Sequence, residues 1–239
     1  MSHWFEEWFN SPLYEAVYAE RDEREAAKLV QLIERIMPVD RYSKVLDLGC
    51  GRGRHSLALA QKGYHVTGLD LAEEAIEAAR DRAREEGLED VNFRIGDMRE
   101  PMEDTFDAVV NLFTTFGYFK TDDENARVFD SVRSMLRGGG LFIMDYMNSP
   151  MVRQSYRPHD EGEAEDVSYK VERYIENNTI VKEIHFEGDK VGGSDIYVER
   201  VKLYDLDWFE KELSVRNMVI EQVFGNYEGA PTILKVAPG

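Results

Sequence analysis

Three glycines and two carboxylates mark the segment of the chain best suited to chemistry. Gly49, Gly51 and Gly53 follow a short apolar run, and Asp47 lies two positions before the first of them. Glycines in such a turn let the backbone approach a ligand closely, and the helix that follows offers free N–H groups. Asp70 ends the next apolar run, 21 positions after Gly49, where a carboxylate can accept hydrogen bonds from both ribose hydroxyls. This pattern favours a nucleoside-containing ligand over a purely structural turn.

The spacing of the glycines distinguishes two kinds of nucleotide site. A dinucleotide site usually reads G-x-G-x-x-G, in which the third glycine allows close helix packing. In this chain Gly53 lies two positions after Gly51, and Arg54 occupies the third position. An NAD-dependent oxidoreductase is therefore kept only as an alternative.

Regularly spaced apolar residues predict the elements that position this turn. The expected helices lie around residues 24–37, 58–60, 71–86 and 128–136, and the expected strands lie at residues 45–48, 65–69, 91–95, 106–112 and 141–146. Strands that alternate with helices predict an α/β fold, a Rossmann-like, doubly wound and mostly parallel sheet with helices on both faces. Because ligands bind such sheets at the carboxyl ends of the strands, the glycine turn and Asp70 should share one edge.

The pattern changes after residue 148. Three strands joined by short turns, at residues 167–175, 180–186 and 196–204, predict a small antiparallel sheet inserted at residues 149–205. A helix around Leu206 to Leu213 and two further strands, at residues 218–224 and 232–236, would complete a seven-stranded main sheet. We therefore expect one domain over residues 1–239, with residues 1–38 as an N-terminal helical lid.

Composition excludes several classes of function. The 29 basic and 47 acidic side chains give a net charge of −18, which repels a nucleic-acid backbone and an anionic membrane alike. The one cysteine, Cys50, excludes an internal disulfide framework and a multi-cysteine metal site. The N-terminus has neither a basic nor an apolar targeting segment. We expect a cytoplasmic protein with no metal and with neither nucleic acid nor membrane as a partner.

The segment at residues 45–55 strongly resembles the first motif of the class I S-adenosylmethionine-dependent methyltransferases, and the resemblance extends over nearly the whole chain. Further matches follow in the family's order. Asp70 with Leu71 resembles the ribose-binding acid and its neighbour, and Asp97 with Met98 resembles the element that contacts adenine. Residues 106–113 resemble the fourth strand, whose end passes the sulfonium. Residues 136–141 are similar to the L-x-P-G-G-x-L turn, without its proline.

This resemblance implies S-adenosylmethionine as the cofactor, with the glycine loop against its methionine moiety and Asp47 near its ammonium group. An aromatic N-terminal segment closes over the cofactor in similar small-molecule methyltransferases, although packing over the sheet explains the same aromatic residues. The cofactor-binding residues implied are Asp47, Gly49, Cys50, Gly51, Gly53, Asp70, Leu71, Asp97, Met98, Asn111, Leu112, Tyr14 and Tyr18.

The resemblance also implies the reaction, which is transfer of a methyl group to an N or O nucleophile of a small molecule. In-line displacement mainly requires alignment of the nucleophile and exclusion of water, so no catalytic residue is assigned. Tyr118, Tyr146 and Asn148 are candidates for contact with the acceptor, in a pocket to which the insertion at residues 149–205 would contribute. A module that binds S-adenosylmethionine without turnover stays an alternative. A monomer and a homodimer both fit the sequence.

Overall fold

A parallel sheet forms the centre of the fold. The computed structural model describes residues 4–18, 23–164, 167–187 and 196–230. Its main sheet has the strand order β3-β2-β1-β4-β5, with every pairing parallel. The strands are β1 (Lys44–Leu48), β2 (His65–Asp70), β3 (Val91–Ile95), β4 (Phe106–Asn111) and β5 (Leu136–Met144). The order reverses between β1 and β4, which is where ligands bind in open α/β sheets.

Helices connect these strands and precede them. They are α1 (Trp4–Phe9), α2 (Pro12–Tyr18), α3 (Glu23–Ile36), α4 (Arg54–Ala60), α5 (Glu73–Glu85), α6 (Asp122–Met135), α7 (Ser149–Ser155) and α8 (Leu206–Ser214). Helix α6 begins with a capping box, in which the Thr121 hydroxyl accepts a hydrogen bond from the Glu124 N–H and the Glu124 carboxylate accepts one from the Thr121 N–H. This reciprocal pair fixes where the helix begins.

The apolar residues of the strands alternate between two cores, one on each face of the main sheet. Leu46 packs in the same cluster as Phe129 of α6, whereas its neighbour Val45 packs in the cluster that contains Ile33 of α3 and Leu59 of α4. Successive side chains of a strand point to opposite faces, so a strand covered on both sides is apolar throughout. The Rossmann-like α/β class predicted from the sequence is confirmed.

A second, antiparallel sheet follows α7. Its strands pair in chain order and are β6 (His159–Ala164), β7 (Val167–Glu176), β8 (Thr179–Glu187) and β9 (Ile196–Lys202). Asn177 and Asn178 both have positive φ, 46° and 60°, which is the conformation that a two-residue hairpin turn requires. Val171 and Ile184 pack with the fully buried Trp8 of α1. The N-terminal helices therefore lie against this sheet.

The main sheet has five described strands, so the prediction of seven is corrected. Residues 218–224 form no strand and contain only an isolated bridge at Phe224. They follow a turn that ends at Asn217, whose φ is 56°, and the side chain of Val219 is 80% exposed. An alternating apolar pattern forms a strand only where a neighbouring strand pairs with it. The strand predicted at residues 232–236 lies outside the described residues.

Other boundaries also differ from the predictions. Gly138, Gly139 and Gly140 lie within β5 rather than ending α6, because β5 begins directly after Met135 and pairs with β4. The insertion at residues 149–205 begins with a helix, and its first strand, β6, was missed because its sequence is mostly polar. Of the described helices, none combines the length and the apolar character needed to cross a membrane.

Candidate functional site

The glycine turn joins β1 to α4 at the carboxyl edge of the main sheet. Gly49, Gly51 and Gly53 have φ values of 79°, 52° and 78°, a region that residues with a Cβ atom adopt at a cost. A Cβ atom on Gly49 would lie 2.8 Å from Oγ1 of Thr115, whereas one on Gly51 would meet nothing within 4 Å. Glycine at position 49 therefore lets the Thr115 side chain lie close to the backbone, whereas Gly51 faces open space.

Asp70 lies beside this turn, as its spacing predicts. Leu48 and Leu69 are register partners in adjacent strands, which brings the residue after β1 next to the end of β2. One carboxylate oxygen of Asp70 accepts a hydrogen bond from the N–H of Gly51 at 2.8 Å, and the other accepts one from the N–H of Ala72 at 2.9 Å. Burial raises the pKa of Asp70, and these backbone hydrogen bonds oppose that rise.

Asp47 is a buried carboxylate within β1, 2% exposed. The hydroxyl of Ser56, in α4, donates a hydrogen bond to its Oδ2 at 2.6 Å. Burial raises the pKa of Asp47 to about 6; the Ser56 hydrogen bond opposes this rise and the charge of Asp70 adds to it. Two carboxylates so close together favour a ligand with positive charge over a pyrophosphate.

Cys50 and Gly53 are placed by packing rather than by an open approach to a ligand. A Cβ atom on Gly68 would lie 2.8 Å from the Cys50 sulfur, and a Cβ atom on Gly53 would lie 2.6 Å from the ring of Phe93. Burial raises the pKa of the Cys50 thiol well above its usual range. Gly53 thus allows α4 to pack closely against β3, although the G-x-G-x-x-G spacing is absent. Their assignment to the cofactor stays a prediction.

Asp97 forms an ion pair that its sequence context did not predict. The Arg99 guanidinium donates to both carboxylate oxygens, with Nη2 to Oδ2 at 2.6 Å and Nε to Oδ1 at 3.0 Å. Burial raises the pKa of Asp97, but the hydrogen bonds and charge of Arg99 lower it by more than burial raises it. The pKa of Asp97 therefore lies below its usual value. Arg99 also stacks on Phe119, 4.1 Å from the ring centroid. Met98 and Leu71 are half-buried and pack against the apolar core.

Asn111 and Leu112, at the end of β4, are both buried. The side-chain amide of Asn111 donates to the Leu48 carbonyl at 2.6 Å and to Oγ1 of Thr115 at 2.7 Å. Leu112 packs in the core cluster that faces α3 and α4. The structure therefore gives Asn111 a place beside the glycine turn and Leu112 a place in the core.

Tyr14, Tyr18 and Tyr118 contribute aromatic rings to the lining of the site. Tyr14 packs edge to face against Tyr18, with ring centroids 4.9 Å apart. The Tyr18 hydroxyl donates to Glu199 of β9 and accepts from Lys182 of β8. The Tyr118 hydroxyl donates to the Thr114 carbonyl at 2.7 Å. Tyr18 therefore links a helix to the small sheet, a contact that local sequence spacing does not reveal.

Tyr146 and Asn148, which are predicted to contact the methyl acceptor, both form hydrogen bonds within the protein. The Tyr146 hydroxyl donates to the Lys202 carbonyl, and its burial raises the pKa of the phenol above its usual value. The side-chain oxygen of Asn148 accepts a hydrogen bond from the N–H of Met151 at 3.1 Å and so caps α7. Their contact with an acceptor stays a prediction.

Two histidines, His159 and His185, lie on the small sheet. His185 comes together with Glu172 and Glu183, so that one possible ligand atom of each lies within 4.8 Å of the others. The group is partly exposed and joins neighbouring strands, and sequence spacing did not predict it.

One cleft is lined by several of the residues predicted to bind the cofactor or the acceptor. Its walls include, among others, Gly49, Gly51, Asp70, Tyr14, Tyr18, Tyr118, Tyr146 and Asn148, together with Thr114, Asp145, Glu199 and Tyr227. The other predicted cofactor residues, Asp47, Cys50, Gly53, Leu71, Asp97, Met98, Asn111 and Leu112, do not line it. A carboxylate at a strand end, an open glycine turn and a buried second carboxylate fit a ligand with a ribose and a cationic group.

Three comparisons with known proteins extend these observations. The sequence matches a family described as a methyltransferase domain over residues 40–192. It is similar to the putative methyltransferase YqeM of Bacillus subtilis (strain 168), with 33% identity over 129 residues that cover 53% of this chain and 51% of YqeM. The chain thus spans about half the length of that relative.

A second curated relative matches over more of its length. This is the dTDP-3-amino-3,4,6-trideoxy-alpha-D-glucopyranose N,N-dimethyltransferase of Streptomyces venezuelae, with 26% identity over 222 residues that cover 86% of each chain.

A solved structure shares the fold. It is an S-adenosylmethionine-dependent methyltransferase from Clostridium acetobutylicum ATCC 824, with a TM-score of 0.78 and 20% identity; the match covers 94% of this chain and 92% of that one. The family match decides against the NAD-dependent alternative. The chain belongs to the class I S-adenosylmethionine-dependent methyltransferases, whose cofactor is S-adenosylmethionine.

Proposed function

We propose that this protein transfers a methyl group from S-adenosylmethionine to a nucleophile of a small molecule, and that the nucleophile is an amine nitrogen. The observation that carries the proposal is the cleft, whose lining includes the glycine turn, Asp70 and the aromatic rings of Tyr14 and Tyr118. A concave site lined by backbone, a carboxylate and aromatic rings suits a small acceptor better than a polymer.

The proposal also assigns roles to two parts of the domain. Residues 1–38 act as a lid and residues 149–205 as an acceptor-side subdomain. Trp8 of α1 packs against Tyr197 of β9 with ring centroids 4.6 Å apart, and its indole N–H donates to Glu199 at 2.7 Å. The first helix and the small sheet are thus in contact, and Tyr14, Tyr18 and Glu199 of these two parts line the cleft. Closure of the lid would exclude water from the reacting groups.

An amine acceptor also fits the acid–base groups of the site. S-Adenosylmethionine supplies an activated methyl group as a sulfonium, and a neutral amine attacks without first losing a proton. The hydroxyls of Tyr118 and Tyr146 donate to backbone carbonyls. Burial and the nearby charge of Arg54 lower the pKa of His55 to about 3, which makes it a weak base. The walls of the cleft align the amine with the methyl group, and this alignment, rather than a general base, accounts for the rate of methyl transfer.

The relative from Streptomyces venezuelae favours nitrogen over oxygen, because its name gives an amino sugar joined to dTDP as its acceptor and the match covers 86% of both chains.

The test combines a binding measurement with a turnover measurement. Calorimetry should show binding of S-adenosylmethionine to the purified protein. Formation of S-adenosylhomocysteine is then measured with the dTDP-linked amino sugar, with small primary and secondary amines, and with the matched alcohols. We expect product with at least one amine, none with its alcohol, and a rate that rises with pH as the amine loses its proton.

Each other outcome has a distinct meaning. Turnover with the alcohols alone would make this protein an O-methyltransferase. Tight binding without turnover by any acceptor would support a module that only binds the cofactor. Absence of binding by folded protein would overturn the proposal at its first step.

A further inference from the structure

The turn that follows β4 has an uncommon backbone conformation. Phe113 and Thr114 have φ values of 64° and 54°, so two consecutive residues with Cβ atoms occupy the left-handed region. Each such residue costs free energy, and a bulky one persists only where its surroundings hold it in place. The contacts that hold this turn are therefore informative.

Asp145, just beyond β5, makes most of these contacts. Its Oδ2 accepts a hydrogen bond from the Phe113 N–H at 3.0 Å, and its carbonyl accepts one from the Thr114 N–H at 3.1 Å. Its own N–H donates to the Asn111 carbonyl at 2.8 Å. One residue thus satisfies both strained N–H groups of the turn and continues the ladder between β4 and β5.

The C-terminal segment supplies a further contact. The Tyr227 hydroxyl donates to the same Oδ2 of Asp145 at 2.8 Å. Tyr227 belongs to the sequence Phe224-Gly225-Asn226-Tyr227, which begins at the isolated bridge of Phe224. The contact joins residues 82 positions apart, and it fixes the carboxylate that in turn holds the Phe113 N–H.

The turn lies directly against the glycine turn. Thr115 follows this turn. A Cβ atom on Gly49 would lie 2.8 Å from its Oγ1. Phe113, Thr114 and Asp145 all line the cleft together with Gly49. A shift in the β4 turn would therefore move the wall of the cofactor site.

We propose that Asp145 and Tyr227 are positioning residues, which hold the Phe113–Thr114 turn against the glycine turn and so set the geometry of the cofactor site. The C-terminal segment then contributes to cofactor binding through Asp145. This inference rests on the proposed methyl transfer.

The test uses the full-length chain and two conservative variants, Tyr227→Phe and Asp145→Asn. Calorimetry measures the Kd of S-adenosylmethionine and of S-adenosylhomocysteine, and NMR follows the amide signals of Phe113 and Thr114. Loss of a charge-assisted hydrogen bond should raise Kd about 5-fold in Tyr227→Phe and about 10-fold in Asp145→Asn. The Phe113 amide signal should move upfield in Asp145→Asn, because a neutral amide oxygen is a poorer acceptor than a carboxylate. It should also shift in Tyr227→Phe, because the oxygen that accepts the Phe113 N–H then loses its second donor.

A matched control separates positioning from general loss of stability. Tyr64 is buried, and its hydroxyl donates to the Met37 carbonyl at 2.6 Å, away from the cleft. Tyr64→Phe should lower the melting temperature yet leave both Kd values within twofold and the Phe113 signal unchanged. Because Asp145 and Tyr227 act through one contact, the double variant should bind no more weakly than Asp145→Asn alone.

Two results would overturn the inference. One is a Tyr227→Phe variant with wild-type Kd values and an unshifted Phe113 amide. The other is a double variant in which the two losses of affinity multiply. A wild-type protein that fails to bind S-adenosylmethionine would instead refute the proposed function, which keeps the two failures distinct.

Discussion

The two walls of the cleft are built by different kinds of contact. The wall proposed to bind the cofactor, called the cofactor wall below, uses neighbours in the chain: Gly51 and Asp70 are 19 positions apart, and Asp47 and Ser56 are 9 positions apart. The second wall joins Trp8 and Tyr18 to Glu199, over separations of 191 and 181 positions. The first wall is a local turn, whereas the second exists only when distant segments have come together.

This difference separates two properties of the enzyme. Backbone groups and the carboxylates of Asp70 and Asp47 set the cofactor wall, so its geometry changes little when surface side chains change. Side-chain pairs between the N-terminal helices and the small sheet set the other wall, so a few substitutions can reshape it. We expect acceptor choice to vary within this fold while cofactor binding stays constant. The following variants test that division.

Asp70→Ala should have the largest effect. It removes the acceptor of the Gly51 and Ala72 N–H groups and the proposed acceptor of the ribose hydroxyls. Several hydrogen bonds to a charged group are lost together, so the Kd of S-adenosylmethionine should rise about 100-fold in calorimetry. Asp90→Ala, at an exposed carboxylate paired with His65, is the control and should bind normally. A Kd for Asp70→Ala within twofold of wild type would remove Asp70 from the site.

Gly53→Ala and Gly51→Ala should separate packing from ligand approach within one turn. Alanine at Gly53 would place its Cβ atom 2.6 Å from the ring of Phe93, and we expect a loss of about 3 kcal/mol in the free energy of unfolding. Alanine at Gly51 meets open space and should cost only about 1 kcal/mol of backbone strain.

Binding should follow the opposite order. Gly51→Ala should raise the Kd of S-adenosylmethionine about 10-fold, and Gly53→Ala should change it less than threefold in the folded protein, since each 1.4 kcal/mol is tenfold. Urea unfolding and calorimetry measure the two quantities. Equal effects of both variants on binding would show that Gly53 contacts the cofactor, as the sequence resemblance implies.

The pH dependence of binding should reveal Asp47. Burial raises the pKa of Asp47 to about 6, so the carboxylate is ionised above that pH and gains a proton below it. A cationic ammonium favours the ionised form, and the Kd of S-adenosylmethionine should therefore rise by up to about tenfold per pH unit below pH 6.

A smaller ligand supplies the control for this pH effect. 5′-Methylthioadenosine keeps the ribose but lacks the ammonium group, so its binding reports Asp70, whose pKa is also raised by burial, without Asp47. The difference between the two pH profiles belongs to Asp47 and should vanish in Asp47→Asn. Parallel profiles in the wild-type protein would contradict a role for Asp47 near the ammonium.

The sequence predicted that the glycine turn and Asp70 share one sheet edge, because this arrangement depends on local order. Alternating strands and helices place Gly49 and Asp70 at one sheet edge, and the spacing of 21 residues is enough to bring them together. It misplaced residues 218–224 because an apolar alternation does not reveal whether a partner strand is present. It also did not reveal the ion pair of Asp97 with Arg99 or the link from Tyr227 to Asp145. Those contacts depend on side-chain directions and on segments brought together by folding.

Tyr18→Phe should have the smallest effect and bears directly on the second wall. The sequence resemblance assigns Tyr18 to the cofactor, yet its hydroxyl lies between Glu199 and Lys182, whose side chains are 17% and 13% exposed. Removal of the hydroxyl should cost about 1 kcal/mol in the free energy of unfolding, the net worth of one hydrogen bond. Calorimetry should find the Kd of S-adenosylmethionine within twofold of wild type.

Tyr174→Phe is the matched control for Tyr18→Phe. The Tyr174 hydroxyl donates to Glu183 on strands of the same small sheet, at 2.8 Å, and Tyr174 does not line the cleft. A Kd raised fivefold or more in Tyr18→Phe but not in Tyr174→Phe would place the Tyr18 hydroxyl on the cofactor. The N-terminal helices would then belong to both walls, because Tyr18 would have to leave Glu199 when the cofactor binds. An unchanged Kd together with an altered KM for the amine acceptor would instead show that Tyr18 affects only acceptor binding.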